Sequence, residues 1–328
     1  MESSSDGLWE DSSQYNLNIT RLHHFGGEDD PNPQFYYPVF VKVEGDTIFV
    51  TDAALQSLIC IDSTGSVLWT FGEAGEGPGH FAGIGQVDVC GDYIAVVNNG
   101  LSAIELLHRD GTYVRRLSID RPQDVSFVDS THILVFSKIH DGGDVHCLDI
   151  NTDSILFSFG CEEWEQWPNS GSVYEIYGLY LEPATVVYLS HFEMKMFFAD
   201  FENSHCFSTE IRELPFSITE HGHSYDEDSN MRFDIAYPLY RSMSIGPHGE
   251  INTIFTNLMS NGEMYGPGNN SDYPPVTVID RFDVNGNYLD SYCLPDSSIC
   301  IIDYNGNGYM VGIQAHTGTI FGYSIDTL

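Results

Sequence analysis

The sequence predicts an all-β protein, a six-bladed β-propeller of four-stranded antiparallel blades that is closed by the N-terminal strand. First, apolar and polar residues alternate over short segments along the whole chain of 328 residues, as they do in half-buried strands. Second, the segments recur in groups of four, which is typical of a repeat architecture. Third, the last group has only three strands, while one spare strand precedes the first group. Pairing the spare strand with the last group closes the ring and removes its open edges.

A glycine-rich joint between the first two groups shows where one blade ends and the next begins. Residues 68–71 (LWTF) alternate as a strand does, and residues 87–89 (VDV) resume the alternation. The glycines between them, together with Pro78, exclude a helix or a continuous strand. The segment therefore predicts a crossing loop between two blades.

The first two groups correspond most closely. Their turns match in position, Gly45-Asp46 with Gly91-Asp92 and Thr64-Gly65 with Asp110-Gly111, and such dipeptides favour tight hairpins. The third group ends in Phe-Gly, as the first does, and the fourth group keeps the alternation but lacks the turn glycines. The fifth group contains a long insertion, and the sixth has only three strands. The predicted blades cover residues 39–72, 85–119, 123–160, 178–211, 242–294 and 298–325, the last completed by a strand within 15–25.

One domain is predicted over residues 15–328, after a flexible N-terminus at residues 1–14. Two long polar insertions, residues 210–241 and 256–275, are predicted to lie over the face that carries the joints between blades. We expect them to act as a lid or as a partner-contact surface.

The joint FGEAGEGPGHF, followed by VDV, an Asp-Gly hairpin and VRRL, resembles the NHL repeat. The whole chain is similar to bacterial six-bladed propeller proteins, many of them of unassigned function. The resemblance implies a closed ring of six blades. It also includes NHL-like lyases that process peptide ends, and related six-bladed folds that hold calcium through acidic and asparagine ligands.

The chain is strongly acidic. Its 48 aspartates and glutamates against 12 lysines and arginines give a formal net charge of −36, which repels nucleic acid and anionic membrane surfaces. Two explanations stay open, namely adaptation to high salt and an ordinary acidic protein. A monomer is expected.

The seven cysteines show neither CxxC nor CxxH spacing, which argues against a disulfide framework or a zinc cluster. The chain as written has no apolar run long enough to cross a membrane and no export signal. A soluble protein and the mature part of an exported bacterial protein are both consistent with this sequence.

Aromatic, histidine and asparagine residues concentrate in the predicted loops of one face, where the strand-two-to-strand-three loops and the joints emerge. Exposed aromatic side chains would form a stacking surface for a peptide, protein or glycan, and the alternative is that they pack the loops onto the ring. The candidate ligand-binding residues are Tyr36, Tyr37, His80, Asn98, His140, Trp164, Trp167, His191, Tyr225, Asn257 and His316.

Three of these histidines, His140, His191 and His316, fall at or near strand-two-to-strand-three loops of separate blades. Three imidazoles around the channel with one open position would suit a catalytic zinc ion. No compact metal motif such as HExxH supports this arrangement. No cofactor is therefore predicted, and zinc or calcium belongs to the alternative.

The sequence favours a non-enzymatic binding or scaffold propeller that recognises a peptide, protein or glycan on its loop face. The alternative is a metal-dependent lyase or hydrolase with channel-facing histidines and aspartates. Neither a GxSxG motif nor a P-loop occurs. The fold does not decide between the two, because propellers host unrelated functions.

Overall fold

The structure of the protein is a computed structural model that describes residues 18–27, 35–139, 143–159, 176–181, 185–190, 195–200, 205–210, 224–225, 231–232, 239–256, 277–296, 299–305, 307–314 and 317–326. Regular structure in this part of the chain is almost entirely β, with one short 3-10 turn at Asn99–Leu101. Six antiparallel sheets of four strands form the blades, so the predicted six-bladed propeller is confirmed. None of the described segments is a helix long and apolar enough to cross a membrane.

Blades 1 to 3 each follow the chain from the inner to the outer strand. Blade 1 consists of β2 (Pro38–Glu44), β3 (Thr47–Asp52), β4 (Ser57–Asp62) and β5 (Val67–Phe71). Blade 2 consists of β6 (Ile84–Cys90), β7 (Tyr93–Asn98), β8 (Ala103–His108) and β9 (Tyr113–Ser118). Blade 3 consists of β10 (Pro122–Phe127), β11 (His132–Ile139), β12 (Gly143–Asp149) and β13 (Ser154–Phe159).

Blades 4 and 5 repeat this order, and blade 6 takes its outer strand from the N-terminus. Blade 4 consists of β14 (Ile176–Leu181), β15 (Thr185–Ser190), β16 (Lys195–Asp200) and β17 (His205–Glu210). A two-stranded sheet, β18 (Ser224–Tyr225) with β19 (Met231–Arg232), precedes blade 5. Blade 5 consists of β20 (Leu239–Ile245), β21 (Ile251–Thr256), β22 (Thr277–Phe282) and β23 (Tyr288–Cys293). Blade 6 consists of β24 (Ile299–Tyr304), β25 (Tyr309–Gln314), β26 (Thr319–Asp326) and β1 (Asn18–Phe25).

The N-terminal strand closes the ring. β1 pairs antiparallel with β26, from Asn18 opposite Asp326 to Phe25 opposite Ile320. The ring of Phe25 then contacts blade 1 at Gly65, where a Cβ would lie 2.2 Å from Phe25 Cδ1 and where φ is +86°. Only glycine combines that backbone conformation with so close an approach. The predicted closure by a strand within residues 15–25 is confirmed.

The hydrophobic core lies between the blades. Among the described residues, each of six buried clusters joins side chains of two neighbouring blades. Phe49 of blade 1 packs with Val89 of blade 2, for example, and Val311 of blade 6 packs with Val41 of blade 1. Each blade is thus buried on both faces, which explains why its middle strands are apolar on both sides.

This topology creates two places where function could reside. The first strands, β2, β6, β10, β14, β20 and β24, lie next to one another around the central channel. Because the strands of each blade alternate in direction, the strand-two-to-strand-three loops and the joints between blades emerge at one end of the ring. We call that end the loop face.

Candidate functional site

An exposed apolar patch lies on the loop face of blade 1. Tyr36, Tyr37 and Leu55 are 63%, 47% and 39% exposed, respectively. The two tyrosines precede β2 and Leu55 lies in the β3–β4 loop, so all three emerge at the same end of the blade. We call these three residues the tyrosine patch. Grouped exposed aromatic side chains are typical of binding surfaces.

The carboxylate of Asp52 fixes the backbone of the tyrosine patch. Asp52 is fully buried at the end of β3. Its Oδ2 accepts hydrogen bonds from the backbone N–H groups of Tyr36 (2.6 Å) and Tyr37 (3.0 Å), and its Oδ1 accepts from Ala54 and Leu55 (2.9 Å each). One buried anion thus satisfies four backbone donors, and the patch is ordered before any ligand arrives.

Asp52→Ala is expected to loosen the tyrosine patch. Because charge-assisted hydrogen bonds to Tyr36 and Tyr37 are lost, we expect the free energy of unfolding in urea to fall by about 1.5–3 kcal/mol. Hydrogen exchange at the two tyrosine amides should accelerate. Asp62→Ala, which removes similar bonds from the exposed β4–β5 turn, is the control and should cost less. Unchanged exchange at Tyr36 and Tyr37 would contradict this role of Asp52.

The glycine-rich crossing loop, residues 72–83, lies beside the tyrosine patch. Gln56, the neighbour of Leu55, lies beside both ends of the loop. A Cβ at Gly72 would lie 3.2 Å from its C=O oxygen, and its Oε1 accepts a hydrogen bond at 3.1 Å from the N–H of Ile84, the first residue after the loop. Gly72 has φ +92°, and a Cβ there would lie 2.5 Å from the ring of Phe81. The predicted turn between the first two blades is therefore confirmed, and glycine is required where it begins.

The ion pair between Arg116 and the buried Glu105 holds the crossing loop on the side that faces the interior of blade 2. Arg116 on β9 donates from Nε to Oε1 of Glu105 at 2.6 Å, and Glu105 on β8 is fully buried. The same guanidinium donates to the C=O groups of Glu76 (3.2 Å) and Gly77 (2.8 Å). Arg116 thereby connects the interior of blade 2 to the loop face.

Asn98 holds the second half of the loop. Its Nδ2 donates to the C=O of His80 (3.0 Å) and to Oε1 of Glu105 (2.9 Å), while its Oδ1 accepts from the N–H of Ala82 (3.2 Å). Tyr113 donates its hydroxyl to Oε2 of Glu105 at 3.2 Å. We call Glu105, Arg116, Asn98 and Tyr113 the Glu105 network.

A second polar site lies in the central channel, where the first strands surround a cavity of about 50 Å³. Its polar lining residues are Lys42, Gln86, Asp88, Asp124, Ser126, Ser242 and Asp303. The volume suits a few water molecules, whereas pockets for drug-sized ligands measure about 300–1,000 Å³. We call Lys42, Asp88, Asp124 and Asp303 the channel cluster.

Lys42 links three blades across the channel. Its Nζ lies 3.0 Å from Oδ1 of Asp88 in blade 2 and 3.9 Å from Oδ2 of Asp303 in blade 6. Burial alone would lower the pKa of Lys42, but the two carboxylates outweigh it and raise that pKa above its ordinary value. Lys42 is therefore a fixed cation at neutral pH and a poor nucleophile.

The channel carboxylates also accept hydrogen bonds from the backbone of the next blade. Asp88 accepts a hydrogen bond from the N–H of Phe127 (2.7 Å), Asp124 accepts one from Gly178 (2.8 Å), and Asp303 accepts one from Val43 (2.7 Å). Each of these bonds joins two blades. The arrangement gives the channel cluster a structural role in closing the ring.

Burial sets the protonation of two of these groups. Burial raises the pKa of Asp124 to about 8, although the N–H groups of Gly178 and Val125 oppose the shift. Burial likewise raises the pKa of Asp303 to about 6, against the opposing effect of Lys42. Asp124 is thus mostly protonated at pH 7.

The buried Asp124 carboxyl predicts that stability falls as pH rises. An unfolded aspartate has a pKa of about 3.9, so between about pH 4 and pH 8 the folded state keeps a proton that the unfolded state has released. We expect the free energy of unfolding to decrease by about 1–2 kcal/mol from pH 6 to pH 8. Urea unfolding at several pH values measures it. Asp124→Asn should flatten the profile and the exposed Asp120→Asn should not, while equal slopes in both variants would refute the assignment.

The predicted ligand-binding residues fall into three groups. Tyr36 and Tyr37 lie in the exposed patch, and His80 is half-exposed in the crossing loop. Asn98 is buried and positions that loop. The backbone of Tyr225 lies in β18, but its side chain is outside the described part of the chain. His140, Trp164, Trp167, His191, Asn257 and His316 also lie outside the described residues, so the roles of this last group stay predictions.

The metal prediction also rests on residues outside the described part of the chain, namely His140, His191 and His316. Within the described residues, no three His, Cys, Asp or Glu side chains are arranged to hold a metal ion. The expectation of no cofactor and the zinc or calcium alternative therefore both stay predictions.

The sequence did not reveal Glu105 or Lys42 as ordering groups, nor the hydrogen bonds by which Asp52 holds the tyrosine patch. The sequence does contain an indication of the role of Lys42. Lys42 is the middle residue of Val41-Lys42-Val43, and Asp88 is the middle residue of the matching VDV segment in the next blade. Two opposite charges at equivalent positions of neighbouring blades indicate a contact across the channel. Asp52 and Glu105 carry no comparable signal.

No protein-family model and no curated protein sequence match the chain. Solved structures share its fold. A member of the DUF4221 family from Bacteroides vulgatus aligns with TM-score 0.58 and 10% identity over 95% of this chain and 99% of that chain. A putative exported protein from Bacteroides fragilis aligns with TM-score 0.59 and 12% identity over 97% of this chain and 96% of that chain. Virginiamycin B lyase from Staphylococcus aureus aligns with TM-score 0.52 and 11% identity over 94% of this chain and 99% of that chain. At such identities the likeness shows the fold alone, a propeller shared with bacterial proteins.

Proposed function

We propose that the protein is a non-enzymatic binding or scaffold propeller that recognises a peptide, protein or glycan on its loop face. The observation that carries this proposal is the tyrosine patch, in which Tyr36 and Tyr37 are exposed on a backbone held by buried Asp52. Ordering the patch in advance lowers the entropy that a ligand must overcome on binding.

The channel supports the same choice. Its cavity is small, and its carboxylates are committed to backbone N–H groups and to Lys42. A catalytic channel needs room for a substrate beside its reactive groups. These observations favour recognition at the loop face over chemistry in the channel.

The NHL-like relationship belongs to the proposal as well. The two units that carry the resemblance, residues 39–72 and 85–119, form blades 1 and 2 with matching strand order. The crossing loop between them is the segment that resembles the NHL joint. These features support the relationship.

Binding to peptide and glycan arrays tests the proposal. Wild type is compared with Tyr36→Ala/Tyr37→Ala and with Leu289→Ala, a control at a similarly exposed apolar residue on the outer strand of blade 5. Probes that bind wild type should bind the double tyrosine variant at least about tenfold more weakly and the control unchanged. Probes that bind all three proteins equally would overturn the proposal.

Metal content provides the test against an enzyme. The purified protein is expected to hold no stoichiometric metal. If mass spectrometry found about one equivalent of zinc or calcium, lost when His140, His191 and His316 are changed to alanine, the metal-dependent lyase or hydrolase would replace the binding module.

A further inference from the structure

We infer that the loop face of blades 1 and 2 binds a cationic polypeptide segment, whose arginine or lysine side chains lie on Tyr36 and Tyr37 beside Glu73 and Glu76. This inference rests on the proposed function and adds the chemistry of the partner. Four observations support it, namely local charge, ring exposure, the apolar neighbour and the net charge of the chain.

Negative charge flanks the tyrosine patch. Glu73 and Glu76 lie in the crossing loop, and both are exposed, Glu73 with 77% of its side chain. The start of this loop lies beside Gln56, the neighbour of Leu55, because a Cβ at Gly72 would lie 3.2 Å from the C=O oxygen of Gln56. Glu73 directly follows Gly72, so a partner that covers the patch can continue along the loop face to this carboxylate, and Glu76 follows three residues later in the same loop.

Basic groups at the loop leave the carboxylate of Glu73 largely exposed. The guanidinium of Arg116 points inward, where it contacts Glu105 and the backbone C=O groups of the loop. Nδ1 of His80 lies 3.8 Å from Oε1 of Glu73, beyond hydrogen-bond distance. The two carboxylates thus remain available to a cationic partner.

The tyrosine rings add a second attraction for cations. A guanidinium or ammonium over an exposed aromatic ring gains about 0.5–1 kcal/mol, and two exposed tyrosines stand side by side in the chain. Leu55 next to them can pack on the aliphatic part of an arginine or lysine side chain. The basic side chains of one segment can therefore divide their contacts among the rings, the apolar neighbour and the carboxylates of the loop.

The charge of the whole chain decides between partner classes. With 48 acidic and 12 basic residues, the protein attracts cations from a distance and speeds their association at low salt. The same field repels nucleic acid and anionic glycans, and it gives neutral glycans no advantage. A basic polypeptide segment is the partner that gains from both the patch and the field.

Fluorescence anisotropy with two labelled peptides tests the inference. One probe alternates glycine and arginine, and the other has glutamate in place of each arginine. The arginine peptide should bind wild type, and its affinity should fall as NaCl rises from about 0.05 to 0.5 M. Tyr36→Ala/Tyr37→Ala and Glu73→Gln/Glu76→Gln should each weaken binding by about tenfold.

The matched control is Asp46→Asn/Asp92→Asn. It removes the same number of charges from exposed strand-one-to-strand-two turns of the same blades, at the end opposite the loop face. It should leave the affinity unchanged. Equal weakening by this control would overturn the inference, since binding would then report only the overall charge, and so would binding of the glutamate peptide.

The inference and the proposed function fail in different ways. If neutral probes need Tyr36 and Tyr37 but the arginine peptide does not bind, the inference is wrong and the proposed function stands. If the arginine peptide binds equally well without the two tyrosines, both are wrong. Unfolding midpoints of the variants equal to that of wild type establish that the changes in affinity are local.

Discussion

Lys42→Met is expected to lower the free energy of unfolding by about 3–5 kcal/mol. The change keeps the length of the side chain but removes the cation that faces Asp88 and Asp303 in the channel. Both carboxylates are largely buried, at 13% and 9% exposed. A buried charge without its partner costs more than the pair contributes, because desolvation is no longer offset by attraction.

The loss should depend on pH in a direction that identifies its cause. At pH 5 the channel can reduce its negative charge, because burial raises the pKa of Asp303 to about 6 and that of Asp124 to about 8. At pH 8 Asp303 is ionised and Asp124 is about half ionised, so Lys42 is needed more than at pH 5. Urea unfolding should therefore show a larger difference between wild type and Lys42→Met at pH 8 than at pH 5.

Two further variants make this prediction specific. Arg115→Met removes a half-exposed arginine 3.8 Å from Asp153 and should cost at most about 1 kcal/mol. Lys42→Met/Asp88→Asn removes one uncompensated carboxylate along with the cation, so it should recover part of the loss. If Lys42→Met proves no worse than Arg115→Met, the channel cluster does not hold the blades together.

The sequence predicted the fold because strand pairing within a blade is local. Alternation and turn dipeptides revealed four strands per unit, and the missing strand of the last unit indicated that β1 pairs with β26. The first and last residues of the blades were predicted less accurately than their number. Blade 5 begins at Leu239, before the expected residue 242, because the ladder between β20 and β21 shifts register between Tyr240 and Ser242. Such a bulge interrupts the alternation on which the prediction relied.

The site was predictable only in part. Tyr36 and Tyr37 were predicted because aromatics in loops are conspicuous in a sequence, and both are exposed, while their role in binding stays a prediction. The channel cluster depends on contacts between blades, such as the bond from Val43 N–H to Asp303 across 260 residues of chain. A one-residue change in the register of the strand would turn the Asp303 side chain to the other face of its blade. Alternation alone therefore does not reveal that Asp303 meets the backbone of Val43.

Glu105→Ala is expected to destabilise blade 2 by about 3–5 kcal/mol and to release the crossing loop. The carboxylate is fully buried and accepts hydrogen bonds from Arg116, Asn98 and Tyr113. Its removal leaves a partly buried guanidinium without an anion, and it takes the acceptor from the Tyr113 hydroxyl and from one of the two hydrogen bonds that Asn98 Nδ2 donates. Glu76→Ala changes an exposed carboxylate of the loop itself and should cost little.

Hydrogen exchange should reveal the effect on the loop. The amides of Gly75, His80 and Phe81 are bonded within the loop, to the C=O groups of Phe81, Gly77 and Glu73. They should exchange faster in Glu105→Ala and at the wild-type rate in Glu76→Ala. Protection of these amides that survives the loss of Glu105 would show that the loop holds itself without the Glu105 network.

A double variant separates stability from loop order. Glu105→Met/Arg116→Met replaces the buried ion pair by apolar side chains, a change that is often neutral for stability. We expect it to recover much of the free energy of unfolding lost in Glu105→Ala. The C=O groups of Glu76 and Gly77 would still lack their donor from Arg116, so loop exchange should stay fast and binding at the loop face should be weaker than in wild type. Recovery of both properties together would mean that the network stabilises blade 2 without ordering the site.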